Sequence, residues 1–204
     1  SGTSTGARII LNKRIPPESG LGGGSSNAAT ALTGCRQLWN IDIPDTELHS
    51  IAASLGSDIN FLLSGATAAV CRGRGEIIEP IELRKRLYFV AIRPRQGNST
   101  AAVFRLTQIP ATPHRSTAVT DCVTHGTGNL SALIFNRLTA AATQLNPAMA
   151  GLLKRIPQIA RRPGFMSGSG STVCVAALSR NDAFSVAGRL NRTLHLPAWI
   201  LEVA

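Results

Sequence analysis

The residues best suited to chemistry in this chain form one run, Pro16-Pro17-Glu18-Ser19-Gly20-Leu21-Gly22-Gly23-Gly24-Ser25-Ser26-Asn27. Four of the five positions from 20 to 24 are glycine. The backbone can therefore turn where a Cβ would clash, and its amide N–H groups can approach a ligand closely. A helix beginning at Ser25 adds unsatisfied N–H groups and a positive dipole end. Together these make a cradle for polyphosphate. Two further places carry suitable residue types. Asp58, in Leu55-Gly56-Ser57-Asp58-Ile59, is either a carboxylate for proton transfer or a cap for the turn over 59–62. Met166-Ser167-Gly168-Ser169-Gly170-Ser171 reads by itself as a tight hairpin between strands.

The elements around the first run argue against a mere flexible loop. Upstream, Arg8-Ile9-Ile10-Leu11-Asn12-Lys13-Arg14-Ile15 reads as a strand that ends where Pro16 removes a donor. Downstream, Ala28, Leu32, Cys35 and Trp39 recur at helical spacing and predict a helix over 25–39. The run is no P-loop, because no Gly-Lys-Ser/Thr follows. It is no Rossmann fingerprint either, because Ser25 stands where glycine is required. A second helix fits 45–55, with Leu48, Ile51, Ala52 and Leu55 on one face, Asp45 or Thr46 as cap and Gly56 as stop. Strands over 67–72 and 77–81 join at Gly73-Arg74-Gly75-Glu76, a turn to which no chemistry is assigned.

A second unit begins with Leu87-Tyr88-Phe89-Val90-Ala91-Ile92. A helical region over 129–156, restarted at Pro147, precedes a short strand near Phe165 and a strand over 172–177. A helix over 181–190 and a strand over 199–203 complete a β-α-β-β-α-β order, the split ferredoxin-like arrangement. Residues 108–127, with two prolines and two histidines, read as a long loop.

Composition bounds the function. The chain has 204 residues, 44% hydrophobic and only 4% aromatic, and no apolar run long enough to span a bilayer. Its opening, Ser1-Gly2-Thr3-Ser4-Thr5-Gly6, is no signal peptide. Cys35, Cys71, Cys122 and Cys174 are widely spaced and read as reduced, structural thiols of a cytoplasmic protein. A formal charge of +10 suits anionic partners, but the basic residues are scattered and do not interleave with aromatics, which speaks against nucleic acid. Arg84-Lys85-Arg86 and Arg161-Arg162 read as solvated faces. His49, His114, His125 and His195 lack metal-ligand spacing, and His49 reads as an exposed helix residue. No Gly-x-Ser-x-Gly nucleophile elbow occurs.

Lys13-Arg14-Ile15-Pro16 followed by Gly20-Leu21-Gly22-Gly23-Gly24-Ser25-Ser26-Asn27-Ala28-Ala29 resembles the second motif of the GHMP small-molecule kinases. Leu55-Gly56-Ser57-Asp58-Ile59, Gly73-Arg74-Gly75-Glu76 and Met166-Ser167-Gly168-Ser169-Gly170-Ser171 agree with that family, in its order and across most of the chain. The resemblance implies an α/β (α+β) GHMP kinase fold. Residues 1–85 would form an ATP-binding N-terminal domain shortened at its start, and 86–204 a ferredoxin-like C-terminal domain. It implies a kinase of an isoprenoid precursor, a cytidine diphosphate-linked polyol, with ATP as donor and Mg2+ as cofactor. Another alcohol substrate, or a non-catalytic ligand-binding relative, remains open.

What the resemblance implies for residues follows by position. Pro16, Pro17, Glu18, Ser19, Gly20, Leu21, Gly22, Gly23, Gly24, Ser25 and Ser26 would bind ATP, with Ser25 or Ser26 also able to touch magnesium or to cap the helix. Asp58 would be catalytic. Gly168, Ser169 and Gly170 would close over the site, and Thr100 and Phe104 would contact the cytidine moiety, Phe104 by stacking. Asn60 departs from the family's proline, and Glu18 and Ser19 from its small residues. The family's upstream segment, with its lysine and its Gly-Tyr-His-like motif, is expected to be missing.

Overall fold

Apolar spacing in the two halves of the chain is converted into two separate hydrophobic cores. A computed structural model describes residues 5–112 and 116–204. Residues 1–4, and with them most of the opening segment, lie outside the described residues, as does His114. The chain divides into two packed units, one made of the residues up to Pro16 together with Gly22–Glu82, the other of Pro17–Leu21 with Leu83–Ala204.

In the first unit, helices α1 (Gly23–Leu38), α2 (Asp45–Leu55) and α3 (Ile59–Ser64) precede a hairpin of β1 (Ala69–Arg72) and β2 (Ile77–Pro80). Its core is small. Ala29, Ala52 and Ile59 are buried, flanked by Ala28, Leu32, Leu62 and Leu63. The alanines let α1 and α2 approach α3 closely, while only Ile59 brings substantial apolar area.

The second unit opens with β3 (Leu87–Ile92), α4 (Thr100–Leu106), α5 (Thr117–His125), α6 (Leu130–Leu133) and α7 (Thr139–Leu145). It continues through α8 (Pro147–Ala160), β4 (Phe165–Met166), β5 (Val173–Ala177), α9 (Arg180–Leu194) and β6 (Ala198–Val203). The strands form an antiparallel sheet in the order β4-β5-β3-β6, so the unit's first strand lies between its third and its last. That is the ferredoxin-like order. Val90, Ile92, Val173 and Val175 of the sheet meet Met149, Ile156, Val186 and Leu190 of α8 and α9, all fully buried. Asn146 caps α8 by accepting from the Met149 N–H at 3.0 Å, and Pro147 sits in the first turn, where its missing donor costs nothing. Burial also pushes the Cys174 thiol up to about 12, and all four cysteines are free. Among the described residues no helix is long and apolar enough to cross a membrane.

Several sequence expectations are corrected. Residues 8–15 are not a strand: no strand pairs with them among the described residues, and Ile9, Ile10 and Leu11 are exposed. A strand needs a ladder partner, and alternation alone cannot provide it. Neither Asp45 nor Thr46 caps α2, which starts after Pro44; Asp45 instead pairs with Arg36 at 2.6 Å. On α2 only Leu48 and Ala52 are buried, while Ile51 and Leu55 face solvent, because the small core covers a narrow stripe. The 108–127 segment contains α5, and the 129–156 region restarts at Pro147 as expected but is also interrupted between Leu133 and Thr139. Arg162 is no solvated charge. Its guanidinium holds the half-buried Asp182 at 2.6 and 3.3 Å. Burial would raise the Asp182 carboxyl, but the Leu178 N–H and then Arg162 hold it below its usual range.

Candidate active site

The glycine run is divided between the two units. Gly22 takes a left-handed conformation (φ 67°, ψ 12°) and stands at the N-cap position of α1, so the helix starts two residues before Ser25. No side chain caps this end. The first helical bond runs from the Ser26 N–H to the Gly22 carbonyl at 2.8 Å. The N–H groups of Gly23, Gly24 and Ser25 are left without intrahelical partners, as at any helix start. Neither serine acts as cap, and the hydroxyls of Ser25 and Ser26 make no hydrogen bond among the described residues.

The three glycines here have different reasons. Gly22 needs its positive φ, and a Cβ there would approach Leu62 Cδ1 of α3 at 3.9 Å. At Gly23 a Cβ would meet the Ile15 side chain at 2.8 Å. Packing therefore explains Gly23. At Gly24 nothing lies within 4 Å. Its glycine has no explanation inside the protein, and the space beside it is open to a ligand. A helix of this length with free N–H groups and an open approach has the dipole and donors that favour an anion at its start.

Pro17–Leu21, the other part of the run, belongs to the second unit and is knitted to the second glycine loop. The Glu18 carbonyl accepts from the N–H groups of Asn98 (3.3 Å) and Ser171 (3.2 Å), and the Ser19 carbonyl from Thr172 (3.0 Å). The Ser167 hydroxyl donates to the Gly20 carbonyl at 2.9 Å. A Cβ on Gly20 would run into the Ser167 carbonyl, and one on Gly170 into Asn98 Nδ2 at 2.6 Å. Ser19 is buried, whereas the Glu18 side chain is exposed and its backbone carries φ 54°.

Three asparagines that sequence reasoning passed over hold the second loop. Asn98 Nδ2 donates to the Ser169 carbonyl (3.0 Å), and Asn146 Nδ2 to Asn98 Oδ1 (2.8 Å). Asn136 Nδ2 donates to the Met166 and Gly168 carbonyls, each at 2.8 Å. The only available signal was Asn146 before Pro147, a helix-start pattern. Thr100 and Ser169, both predicted site residues, are brought together with hydroxyls 2.9 Å apart. Phe104 stands one turn along α4 from Thr100 and is 60% exposed, so it is not a core residue.

Asp58 occupies the N-cap position of α3, yet its carboxylate makes no capping hydrogen bond, so the cap alternative is not realised. The side chain is exposed. Two neighbours fix the chain around it. Gly75, at the tip of the β1–β2 hairpin with φ 113°, lies so close that a Cβ would run into the Ser57 carbonyl. That gives the Gly73-Arg74-Gly75-Glu76 turn a packing role beside Asp58. Asn60, 2% exposed, accepts a hydrogen bond from His49 Nδ1 at 2.9 Å. His49 is thus half-buried and partnered, not the exposed residue expected. Burial and then the Asp58 charge push the Cys71 thiol up, which places Cys71 of β1 within electrostatic reach of that carboxylate.

Among the described residues no group of three or more His, Cys, Asp and Glu could hold a metal ion. A phosphate-bound magnesium does not require one, since it prefers one or two protein ligands together with waters and phosphates. The free Ser25 and Ser26 hydroxyls at the helix start would suit such a sparse ligand set.

Comparison with known proteins gives the family of this arrangement. Residues 1–73 match the GHMP kinases N terminal domain. A 4-diphosphocytidyl-2-C-methyl-D-erythritol kinase of Nocardioides sp. is 34% identical over 200 residues, 95% of this chain and 67% of that protein. One from Shouchella clausii is 35% identical over 170 residues, 82% of this chain and 57% of that protein. A crystal structure of 4-(cytidine 5'-diphospho)-2C-methyl-D-erythritol kinase superposes with a TM-score of 0.74 at 31% identity, over 96% of this chain and 70% of that one. The chain spans 54–68% of the length of such curated relatives.

Proposed function

The chain belongs to the 4-diphosphocytidyl-2-C-methyl-D-erythritol kinase family of the GHMP kinases, and on that premise we propose that the protein carrying it transfers the γ-phosphoryl group of ATP to the 2-hydroxyl of 4-diphosphocytidyl-2-C-methyl-D-erythritol. This is a step of the methylerythritol phosphate route to isoprenoids, and we place it in the cytoplasm. The observation that carries the reading is the start of α1, uncapped and open at Gly24. Phosphoryl transfer depends on positioned phosphates and neutralised charge more than on covalent chemistry by the protein. The N–H groups of Gly23, Gly24 and Ser25, with the left-handed Gly22, are the part of the run that would bind the ATP phosphates. Pro16, Pro17, Glu18, Ser19, Gly20 and Leu21 would shape its approach.

Magnesium, when bound with the nucleotide, neutralises phosphate charge, and the hydroxyls of Ser25 and Ser26 are the groups proposed to touch it. Asp58 is the proposed catalytic residue. Its exposed carboxylate, which makes no capping hydrogen bond among the described residues, is free to accept the proton of the acceptor hydroxyl. Thr100, Phe104, Gly168, Ser169 and Gly170 are proposed for the cytidine diphosphate part of the acceptor, with the exposed Phe104 ring available to stack.

The test is transfer of labelled phosphate from ATP to this acceptor, alongside calorimetric ATP binding, for the protein and its Asp58→Asn variant. We expect turnover to fall about 10²-fold or more with ATP affinity retained, the scale of a general base. Near-normal turnover in Asp58→Asn would remove Asp58 from the chemistry. Absence of transfer to this acceptor by the unaltered protein would overturn the substrate assignment.

A further inference from the structure

We propose that His49 is a positioning residue for Asp58, acting through its hydrogen bond to Asn60 to fix the first turn of α3. The inference rests on the reading of Asp58 as the proton acceptor. It begins from a deficit. Asp58 stands at the start of a six-residue helix and makes no capping bond, so its own side chain does nothing to set the turn. A helix that short is not stable by itself and takes its geometry from what packs on it.

Ile59 supplies the apolar part of that packing, buried with Ala29 and Ala52. An apolar contact leaves rotation and sliding of a short helix weakly opposed, whereas a hydrogen bond has direction. Asn60, two residues after Asp58, supplies that direction. It is a buried amide in the helix's first turn, a poor choice for helix propensity and a costly group to bury without a partner. Its partner comes from α2: the Nδ1–H of the half-buried His49 donates to Asn60 Oδ1 at 2.9 Å. The bond ties α2 to α3 eleven residues away in sequence. On the other side of Asp58, the close approach of Gly75 to the Ser57 carbonyl blocks movement. The carboxylate is therefore held through the residue before it and the residue two after it. Reactive groups misplaced by about 1 Å lose on the order of 10²-fold in rate, so a device of this kind acts on turnover rather than on nucleotide binding.

Steady-state kinetics of the protein carrying this chain test the proposal. His49→Ala should lower kcat by about tenfold, the scale of one net hydrogen bond, with KM for ATP changed less than about twofold. His49→Asn should recover most of the loss, because its Nδ2 stands where the imidazole Nδ1 does. Asn60→Pro fixes the turn by another route, since a proline is tolerated in the first helical turn. In that background His49→Ala should change kcat by less than about twofold. A tenfold loss that persists there, or one that His49→Asn does not recover, would overturn the proposal. So would a His49→Ala effect confined to KM, or normal turnover in His49→Ala. If His49→Ala alone is too unstable to assay, the proposal requires it to fold and turn over in the Asn60→Pro background. Asp58→Asn measured in parallel separates the two ideas. Normal turnover there removes the role of Asp58 itself, while a large loss there beside a silent His49→Ala removes only the role of His49.

Discussion

The two glycine-rich segments look alike in sequence and differ in what their glycines are for. Around Gly168 and Gly170 the chain is full. Asparagine side chains take up the Met166, Gly168 and Ser169 carbonyls, the Ser171 and Thr172 hydroxyls are buried without a partner among the described residues, and an added Cβ at Gly168 would meet the Gly20 carbonyl at 2.8 Å. At the start of α1 the chain is open: no side chain caps the end, and Gly24 has empty space around it. In the first case glycine is required by the protein's own packing. In the second its smallness serves nothing inside the protein. A glycine run thus leaves room for a ligand where the space around it is empty, and is a structural knot where the protein's own atoms fill that space. Gly20 shows that one sequence motif can contain both kinds, because it belongs with the second loop.

The largest effect that would break this contrast is expected at Gly20. Its φ of 74° already disfavours any side chain, and the Ser167 carbonyl occupies the place of a Cβ. Gly20→Ala should cost about 3 kcal/mol or more, the sum of left-handed strain and forced displacement of backbone, and lower the melting temperature of the second unit by several degrees. A Gly20→Ala protein with unchanged melting would show that the second loop is not the packed knot described.

Gly23 and Gly24 sharpen the comparison in the other direction. Gly24→Ala has room and lies in a helix, where the change stabilises by about 0.5–1 kcal/mol. If phosphate approaches at Gly24, the same methyl should weaken ATP binding by about tenfold, the scale of losing one charge-assisted hydrogen bond. Gly23→Ala should do the reverse and lower stability through the Ile15 side chain. Calorimetry and thermal melts on both variants would separate the roles. Equal ATP affinity in a stabilised Gly24→Ala protein would leave the open helix start without a ligand.

The sequence-level reading was strongest where local pattern and tertiary demand coincide. The α2 span, both strands of the hairpin, the β3 strand and the ferredoxin-like order were legible because apolar spacing and glycine stops mark them. The strand expected at 8–15 failed because pairing depends on a neighbour that spacing does not reveal. The start of α1 was misplaced because glycine has low helix propensity, yet Gly23 and Gly24 are carried into the helix by the left-handed Gly22 before them. At the candidate site the glycine run stood out by its residue types, whereas Asp58 was singled out by the family resemblance and not by spacing. Asn98, Asn136, Asn146 and His49 were not legible, since each acts on a partner distant in sequence.

The smallest effect decides whether the packed loop also touches the acceptor. Thr100 and Ser169 share a hydrogen bond between hydroxyls 2.9 Å apart, and Ser169 is 8% exposed while Thr100 is exposed. If the pair only fastens α4 to the loop, Thr100→Ala should cost about 1 kcal/mol of stability and nothing else, the net value of one such bond. If Thr100 also meets the cytidine diphosphate group, the same change should raise KM for the acceptor by about five- to tenfold while leaving kcat and KM for ATP in place, because uniform binding has been removed rather than transition-state stabilisation. Ser169→Ala distinguishes the routes. Its mostly buried hydroxyl can weaken acceptor binding only by releasing Thr100, so its effect on KM should be smaller than that of Thr100→Ala, and the double variant should add little to Thr100→Ala. Additive losses would mean that each hydroxyl meets the acceptor separately. The loop would then be a binding surface in its own right, and the contrast with the start of α1 would narrow to how each segment is held, not whether it binds.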